Sequence, residues 1–292
     1  MDPRAWSRFR RNRGALLGAG IVGGLVLFAL FGPALSGHDP IASDFANGRG
    51  AFGLPSGPSA EHLLGTDTLF RDQLSRLAHG ARLSLQIAFA ASGIALLIGA
   101  TVGILAGWSE GRAWKRLFGL DLDTLLMRFV DIGLSFPFLL LVMAIGAALD
   151  QTSTTTIFVV LGLTGWLGTA RLVRSKTLQV RELDFVNASR ALGQTTFWIL
   201  VKHVLPNVAG VLVVVGTISI AQMIIAESVL SYLNVGVQPP TPTWGRMLYE
   251  GQDSYMTAPW LLIAPGAAIL LAVLGFNLLG EGLRDALDPR EP

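Results

Sequence analysis

The chain has 292 residues, of which 51% are hydrophobic and only 14% charged, with a net charge of +2. A soluble globular chain carries about 25% charged residues, so this composition excludes a water-facing surface over the whole molecule and points to no nucleic-acid partner. The absence of cysteine excludes disulfides, thiolate metal sites and cysteine nucleophiles, and none of the four histidines (His38, His62, His79, His203) pairs at the i, i+4 spacing of a helical metal site, so no metal is expected.

A membrane helix needs about 20 apolar residues to cross a core roughly 30 Å thick. Taken in chain order, the stretches of that kind are Leu16–Leu35, Leu83–Trp108, Val130–Leu149 (interrupted by Pro137), Thr155–Leu172, Val208–Leu230 and Pro259–Leu279 (with Pro265 inside). Interior prolines are tolerated in membrane helices where neighbours satisfy the freed carbonyls. The first stretch follows a basic segment and Ala34-Leu35-Ser36 has the look of a cleavage site, but its apolar run exceeds the about 7–15 residues of a signal peptide, so a retained anchor is expected.

The expectation is an all-α integral membrane protein with six transmembrane helices. It divides into a basic N-terminus (1–15), a first helix (16–35), a long outer loop (36–82), a five-helix core (83–280) and a short tail (281–292). Residues 36–67 are rich in Gly, Pro and Ser. Thr68 to Arg82 alternates apolar and charged residues and predicts an interfacial amphipathic helix leading into the second span. Trp114–Met127 is expected to lie along the inner surface. The core contains an inner loop (172–207) and an outer loop (231–258) stiffened by Gln238-Pro239-Pro240-Thr241-Pro242.

Lys and Arg set the orientation. With the N-terminus in the cytoplasm, inside segments hold five arginines before the first span and Arg112, Lys115, Arg116 and Arg128 before the third. They also hold Arg171, Arg174, Lys176, Arg181, Arg190 and Lys202 before the fifth, and Arg284 and Arg290 in the tail. That makes 17 inside against 5 outside (Arg49, Arg71, Arg76, Arg82, Arg246). Both termini and the inner loop are therefore expected in the cytoplasm.

Small residues four apart form a face that lets helices approach closely. Gly99, Gly103 and Gly107 in the second span and Gly20 and Gly24 in the first have that spacing, and Gly162, Gly165 and Gly168 add a small face to the fourth. Close packing within one bundle and a sliding surface that gates a pathway both fit. Polar groups at membrane depth are few: Asp131, Glu227 and Asn277, each near an interface, serve either in the bundle's own hydrogen bonding or in lining a path. A proton- or ion-coupled carrier would bury a carboxylate or histidine relay near the midplane, and an intramembrane hydrolase would need a nucleophile with a base. Neither is present, so no catalytic residue is expected and any driving energy must come from another chain.

The loop before the fifth span reads as a helix-turn-helix. A short helix begins near Asp184, with Val186, Ser189, Arg190 and Gly193 at helical spacing and Ala188, Ala191 and Leu192 as a smaller apolar side. Gly193 permits the left-handed turn that ends it. A second helix starts at Thr195 and presents Phe197 and Trp198 until Leu205-Pro206 stops it and launches the span. Taken alone, this could be an amphipathic connector on lipid headgroups or a docking element.

Asn187-Ala188-Ser189, three residues, Gly193, nine residues, then His203-Val204-Leu205-Pro206 resembles the EAA loop of ABC importer permeases, patterned E-A-A-x3-G-x9-I-x-L-P. Asn187 stands for the Glu, Ser189 for the second Ala and His203 for the Ile. Three further blocks resemble the peptide and nickel permease subfamily: Gly65-Thr66-Asp67 through Leu85, Gly236 through Gly245, and Asn277 through Pro289. The layout of a basic tail, one span and a long outer loop is similar to the C-type subunit of dipeptide and oligopeptide importers.

The resemblance implies a multi-pass protein of a prokaryotic inner membrane, surrounded by lipid, that pairs with a second permease subunit. Two ATP-binding subunits would dock on the EAA loops and an extracytoplasmic binding protein would deliver di- or oligopeptides. ATP and Mg would belong to the partners; no cofactor is implied for this chain, which lacks a G-x4-G-K-[ST] loop. The implied ATPase-coupling residues are Asn187, Ala188, Ser189, Arg190, Leu192, Gly193, Leu205 and Pro206. Asn187 accepts a hydrogen bond but forms no ion pair, so docking is expected to rest on packing around Ala188, Leu192 and Gly193, with Arg190 available for a contact of opposite polarity. The same architecture also serves importers of nickel chelates, glutathione-like peptides or oligosaccharides, and a membrane assembly subunit without a path is the reading of a different class.

Overall fold

The computed structural model describes residues 3–110, 121–148 and 153–287. Among these the chain is almost wholly helical. Helix α1 (Pro3–Arg11) precedes α2 (Arg13–Ser36), which Asn12 caps by accepting from the Ala15 N–H and which Gly37 ends at φ 66°. A looped segment leads to α3 (Gln73–Ser109), α4 (Leu122–Leu134) and α5 (Phe138–Ala148). Then follow α6 (Thr154–Gly165), α7 (Leu167–Arg181), α8 (Asp184–Ala191) and α9 (Thr196–Ile199). A π turn (Leu200–Val204) opens into α10 (Leu205–Tyr232), which α11 (Trp244–Gly251) and α12 (Trp260–Leu287) follow.

Among the described residues, five helical stretches are long and apolar enough to cross a membrane: Arg13–Ser36, Gln73–Ser109, Thr154–Arg181, Thr196–Tyr232 and Trp260–Leu287. The expected third span is not one rod. Helices α4 and α5 meet at an 86° bend. Pro137 has no N–H to continue the ladder, and the Ser135 hydroxyl donates back to the Ile132 carbonyl at 2.6 Å. The pair counts as a sixth span only if it is taken together. Leu149, the first half of the expected surface segment Trp114–Met127, Arg112, Lys115, Arg116, Arg290 and the end of the tail lie outside the described residues.

Helix α3 is the axis of the bundle. Its 37 residues make a rod roughly 55 Å long, well beyond a core of about 30 Å. The stretch expected as a separate interfacial helix supplies its first turns instead, and Gln73, Ser75, Arg76 and Leu77 are buried there. Helix α3 packs against α2, α6, α7 and α10.

The contact with α7 is the closest. A Cβ on Gly99 would stand 2.9 Å from the Trp166 carbonyl, one on Gly103 2.6 Å from that of Ala170, and one on Gly107 2.8 Å from that of Arg174. Only glycine lets the two backbones meet at these three successive turns. The other expected small faces are used unevenly. Gly162 abuts Ile94, and Gly165 abuts Met223, whereas Gly20, Gly24 and Gly168 face open space. On α2 the buried contact is two residues before Gly20, on the other side of the helix, at Gly18, where a Cβ would meet the Gly275 carbonyl at 2.8 Å.

Gly103→Leu is expected to destabilise the fold by about 1–3 kcal/mol, the range for overpacking, whereas Gly20→Leu leaves stability unchanged. Heat- or SDS-induced unfolding of the two variants in detergent checks the contrast.

Candidate functional site

At one end of the bundle α8 and α9 form the expected helix-turn-helix. Gly193, at φ 76°, ends α8. The Gln194 N–H reaches the Ser189 carbonyl at 3.1 Å and the Gly193 N–H reaches that of Arg190 at 3.0 Å, the paired bonds of a Schellman motif. Thr195 then caps α9, accepting from the Trp198 N–H.

Helix α8 has two faces. Val186 and Ser189 are buried in an apolar cluster with Trp108, Val173, Val180, Ile199, Val204 and Val208. The Ser189 hydroxyl hydrogen-bonds to the Phe185 carbonyl at 2.8 Å and lies 3.2 Å from His203 Nε2. Two of the three positions that depart from the family pattern therefore touch each other. Asn187, Ala188, Ala191, Leu192 and Gly193 face outward, Leu192 with 80% of its surface exposed. Phe197 and Trp198 on α9 extend this apolar outer surface.

Arg190 does not stand free for an outside contact. Its guanidinium sits 4.6 Å from the centre of the Trp108 ring, and its Nη1 donates to Asn187 Oδ1 at 3.0 Å. Asn187 in turn donates to the Glu182 carbonyl at 3.2 Å. The residue in the family's glutamate position is thus tied into its own helix.

Leu205 and Pro206 do not stop the second helix. They lie exposed in one helical stretch, Thr196–Tyr232, where the π turn absorbs the proline. The Leu205 N–H reaches back to the Leu200 carbonyl, and the Asn207 side chain donates to that of His203 at 2.7 Å. Arginines of α7 anchor the same end. Arg174 donates to both oxygens of Asp123 at 2.6 and 2.7 Å and to Glu110 at 3.0 Å. Arg181 donates to the Gly107 and Glu110 carbonyls at 2.9 and 2.8 Å. Asp131 accepts from Arg171 at 2.6 Å.

Near the other end of the bundle, Glu227 is fully buried and accepts from the hydroxyls of Ser84 at 3.1 Å and Ser231 at 2.8 Å. It joins α3 to α10, and the Trp244 N–H of α11 reaches the same Ser84 hydroxyl at 3.3 Å. Asn277 is half-buried on α12. The structure does not bring Asp131, Glu227 and Asn277 together.

Sequence reasoning missed the charged cluster beyond Glu227. Glu250 on α11 accepts from Arg71 at 2.8 Å, Arg76 at 2.7 Å and Arg246 at 3.1 Å. Asp67 takes Arg71 at 2.7 Å and Arg76 at 3.2 Å. Each of these arginines is buried or nearly so. The Gly65–Leu85 block was visible in the sequence, but no local spacing points from it to Glu250, 174 positions beyond Arg76.

The model of the binding-protein-dependent transport system inner membrane component family matches residues 99–291, and that of the N-terminal transmembrane domain of oligopeptide transport permease C matches residues 4–52. The chain is 38% identical over 286 residues to the dipeptide transport system permease protein DppC of Alkalihalophilus pseudofirmus, covering 98% of this chain and 89% of that protein. It is 41% identical over 290 residues to the di/tripeptide transport system permease protein DppC of Pseudomonas aeruginosa, covering 98% and 91%. To the glutathione transport system permease protein GsiD of Pectobacterium atrosepticum it is 36% identical, covering 98% and 90%. Its fold is similar to a chain of the inward-facing MetNI methionine ABC transporter, with a TM-score of 0.56 and 21% identity over 73% of this chain and 96% of that one.

Removing the shared carboxylate leaves buried guanidinium groups without their partner. Glu250→Gln is expected to cost roughly 3 kcal/mol, the lower part of the range for a broken buried pair, with Glu250→Asp recovering part of it. The midpoint of SDS-induced unfolding reads both.

Proposed function

We propose, for a chain that belongs to the family of binding-protein-dependent transport system inner membrane components, that it and a second permease together form the path of an importer of di- or oligopeptides. As a multi-pass permease of a bacterial ABC transporter it holds no engine of its own. Two ATP-binding subunits supply ATP and Mg, and a binding protein delivers cargo at the opposite face. The cytoplasm lies on the α8 side, where the basic residues concentrate. The names of the relatives run from dipeptides and oligopeptides to glutathione, so the cargo shares a peptide backbone.

The observation that carries the coupling reading is the outward face of α8. Ala188, Ala191, Leu192 and Gly193 leave an apolar surface uncovered, while the opposite face of the same helix is locked to α7 and the root of α10. A load applied to Leu192 therefore reaches α10 through packed side chains. Docking is carried by shape and apolar contact, because the Asn187 oxygen already accepts from Arg190, whose guanidinium lies over the Trp108 ring.

Leu192→Asp is expected to lower ATP-driven peptide uptake by reconstituted importer about tenfold, the equivalent of about 1.4 kcal/mol at the docking surface. The variant should keep its unfolding midpoint while retaining less ATPase on co-purification. Normal uptake and normal ATPase retention would refute the assignment of this face. A double-mutant cycle between Asn187 and its nearest ATPase residue is expected to give a coupling below about 2 kcal/mol, the scale of a desolvated charge pair.

A further inference from the structure

Two histidines and an aspartate far apart in the sequence meet where the segment after α2 folds over the start of α3. His62 is fully buried, and its Nδ1 lies 2.9 Å from Asp72 Oδ2. His38 Nδ1 lies 4.0 Å from the same oxygen, and the two imidazole rings are 5.0 Å apart. One donor atom from each of the three residues falls within 4.8 Å of the others. The absence of i, i+4 histidine pairs led to the expectation of no metal site, and that rule covers only ligands on one helix.

The arrangement leaves a polar atom unexplained. With Asp72 ionised, a neutral His62 donates from Nδ1 to Asp72, and its Nε2 is a bare acceptor. That nitrogen is buried, has no hydrogen-bond partner, and faces Asp44 Oδ2 at 3.5 Å. A lone pair against a carboxylate is an unfavourable contact, and buried polar atoms are normally satisfied. A cation on Nδ1 resolves it. The proton then resides on Nε2 and points at Asp44, which gives the carboxylate–histidine–metal relay that orients metal-bound imidazoles.

The other groups fit the same reading. The Ser75 N–H holds Asp72 Oδ1 at 2.6 Å, which leaves Oδ2 to the ion. A divalent ion about 2.1 Å from each donor needs donor atoms roughly 3–3.5 Å apart, between the 2.9 and 4.0 Å separations seen here. His38 Nδ1 now hydrogen-bonds to the Ser36 carbonyl at 2.7 Å, so binding exchanges that bond for the metal and leaves the carbonyl oxygen at the rim as a further donor. His38 is partly exposed, giving the ion a route in and a water a place in the coordination sphere.

We propose that His38, His62 and Asp72, with Asp44 behind His62, form a binding site for a divalent transition-metal ion of the zinc class. Two imidazole nitrogens and one carboxylate suit such an ion, as does an open fourth position. The ion pins the segment between His38 and His62 to the first turn of α3 and stabilises the folded chain by mass action.

The test uses the full chain in detergent, purified on a histidine-free tag, stripped with chelator and titrated with Zn²⁺ by calorimetry, with Co²⁺ absorption as a spectroscopic check. One Zn²⁺ per chain, a raised unfolding midpoint and a Co²⁺ spectrum of low coordination number are expected. His38→Gln should abolish stoichiometric binding, and Asp44→Asn should weaken it about 10–100-fold, as loss of an outer-shell partner does. Both residues are partly exposed, so the stripped variants should unfold at the wild-type midpoint. His62→Gln, which risks the fold, is not needed. No Zn²⁺ at stoichiometric level, or equal affinity in wild type and in both variants, would overturn the proposal and leave His62 as a structural link between Asp44 and Asp72.

Discussion

Everything in this molecule hangs on how closely α3 and α7 approach. Three glycines one turn apart bring backbone against backbone from Trp166 to Arg174. In lipid there is little hydrophobic gain in pressing two helices together, so close van der Waals packing must hold them. The same contact sets Trp108 beneath Arg190 and aligns Arg174 and Arg181 with the acceptors at the ends of α3 and α4. The outward face of α8 thus has a fixed position because a stripe without side chains lies two layers beneath it.

The ends of the bundle are held by different chemistry. Near α8, arginines close over carboxylates and backbone carbonyls at helix ends, where the unpaired carbonyls attract cations. At the other end three arginines converge on Glu250. Such a cluster adds little net stability over an apolar one, but it penalises every arrangement that separates its members. It fixes the register between the segment before α3 and α11, which no backbone ladder connects.

Elements governed by local rules were legible in the sequence. Apolar runs placed the membrane stretches, Gly193 marked the end of α8, Thr195 capped α9, and the spacing of Gly99, Gly103 and Gly107 marked a packing face. Where two features competed, reading was less sure. Pro137 bends its span, whereas Pro265 and Pro206 do not interrupt theirs, and the difference lies in tertiary support that the letters do not carry. Gly20 and Gly99 have the same local pattern, yet only Gly99 meets a partner helix. The Glu250 cluster and the meeting of His38, His62 and Asp72 depend on contacts across long separations and were beyond any periodicity. Arg190 was expected to be available for a contact of opposite polarity, but the Trp108 ring, supplied by α3, draws it inward.

The contact between Ser189 and His203 has a consequence for how this loop is inherited. In the loop pattern this segment resembles, alanine and isoleucine stand at these positions, side chains that can meet only by apolar contact. In this chain a hydroxyl and an imidazole replace both. Changing Ser189 alone takes from His203 Nε2 its hydroxyl neighbour, whereas changing His203 alone leaves the Ser189 hydroxyl bonded to the Phe185 carbonyl. The coupling between the two positions is therefore unequal, and the histidine is the freer of the two to change.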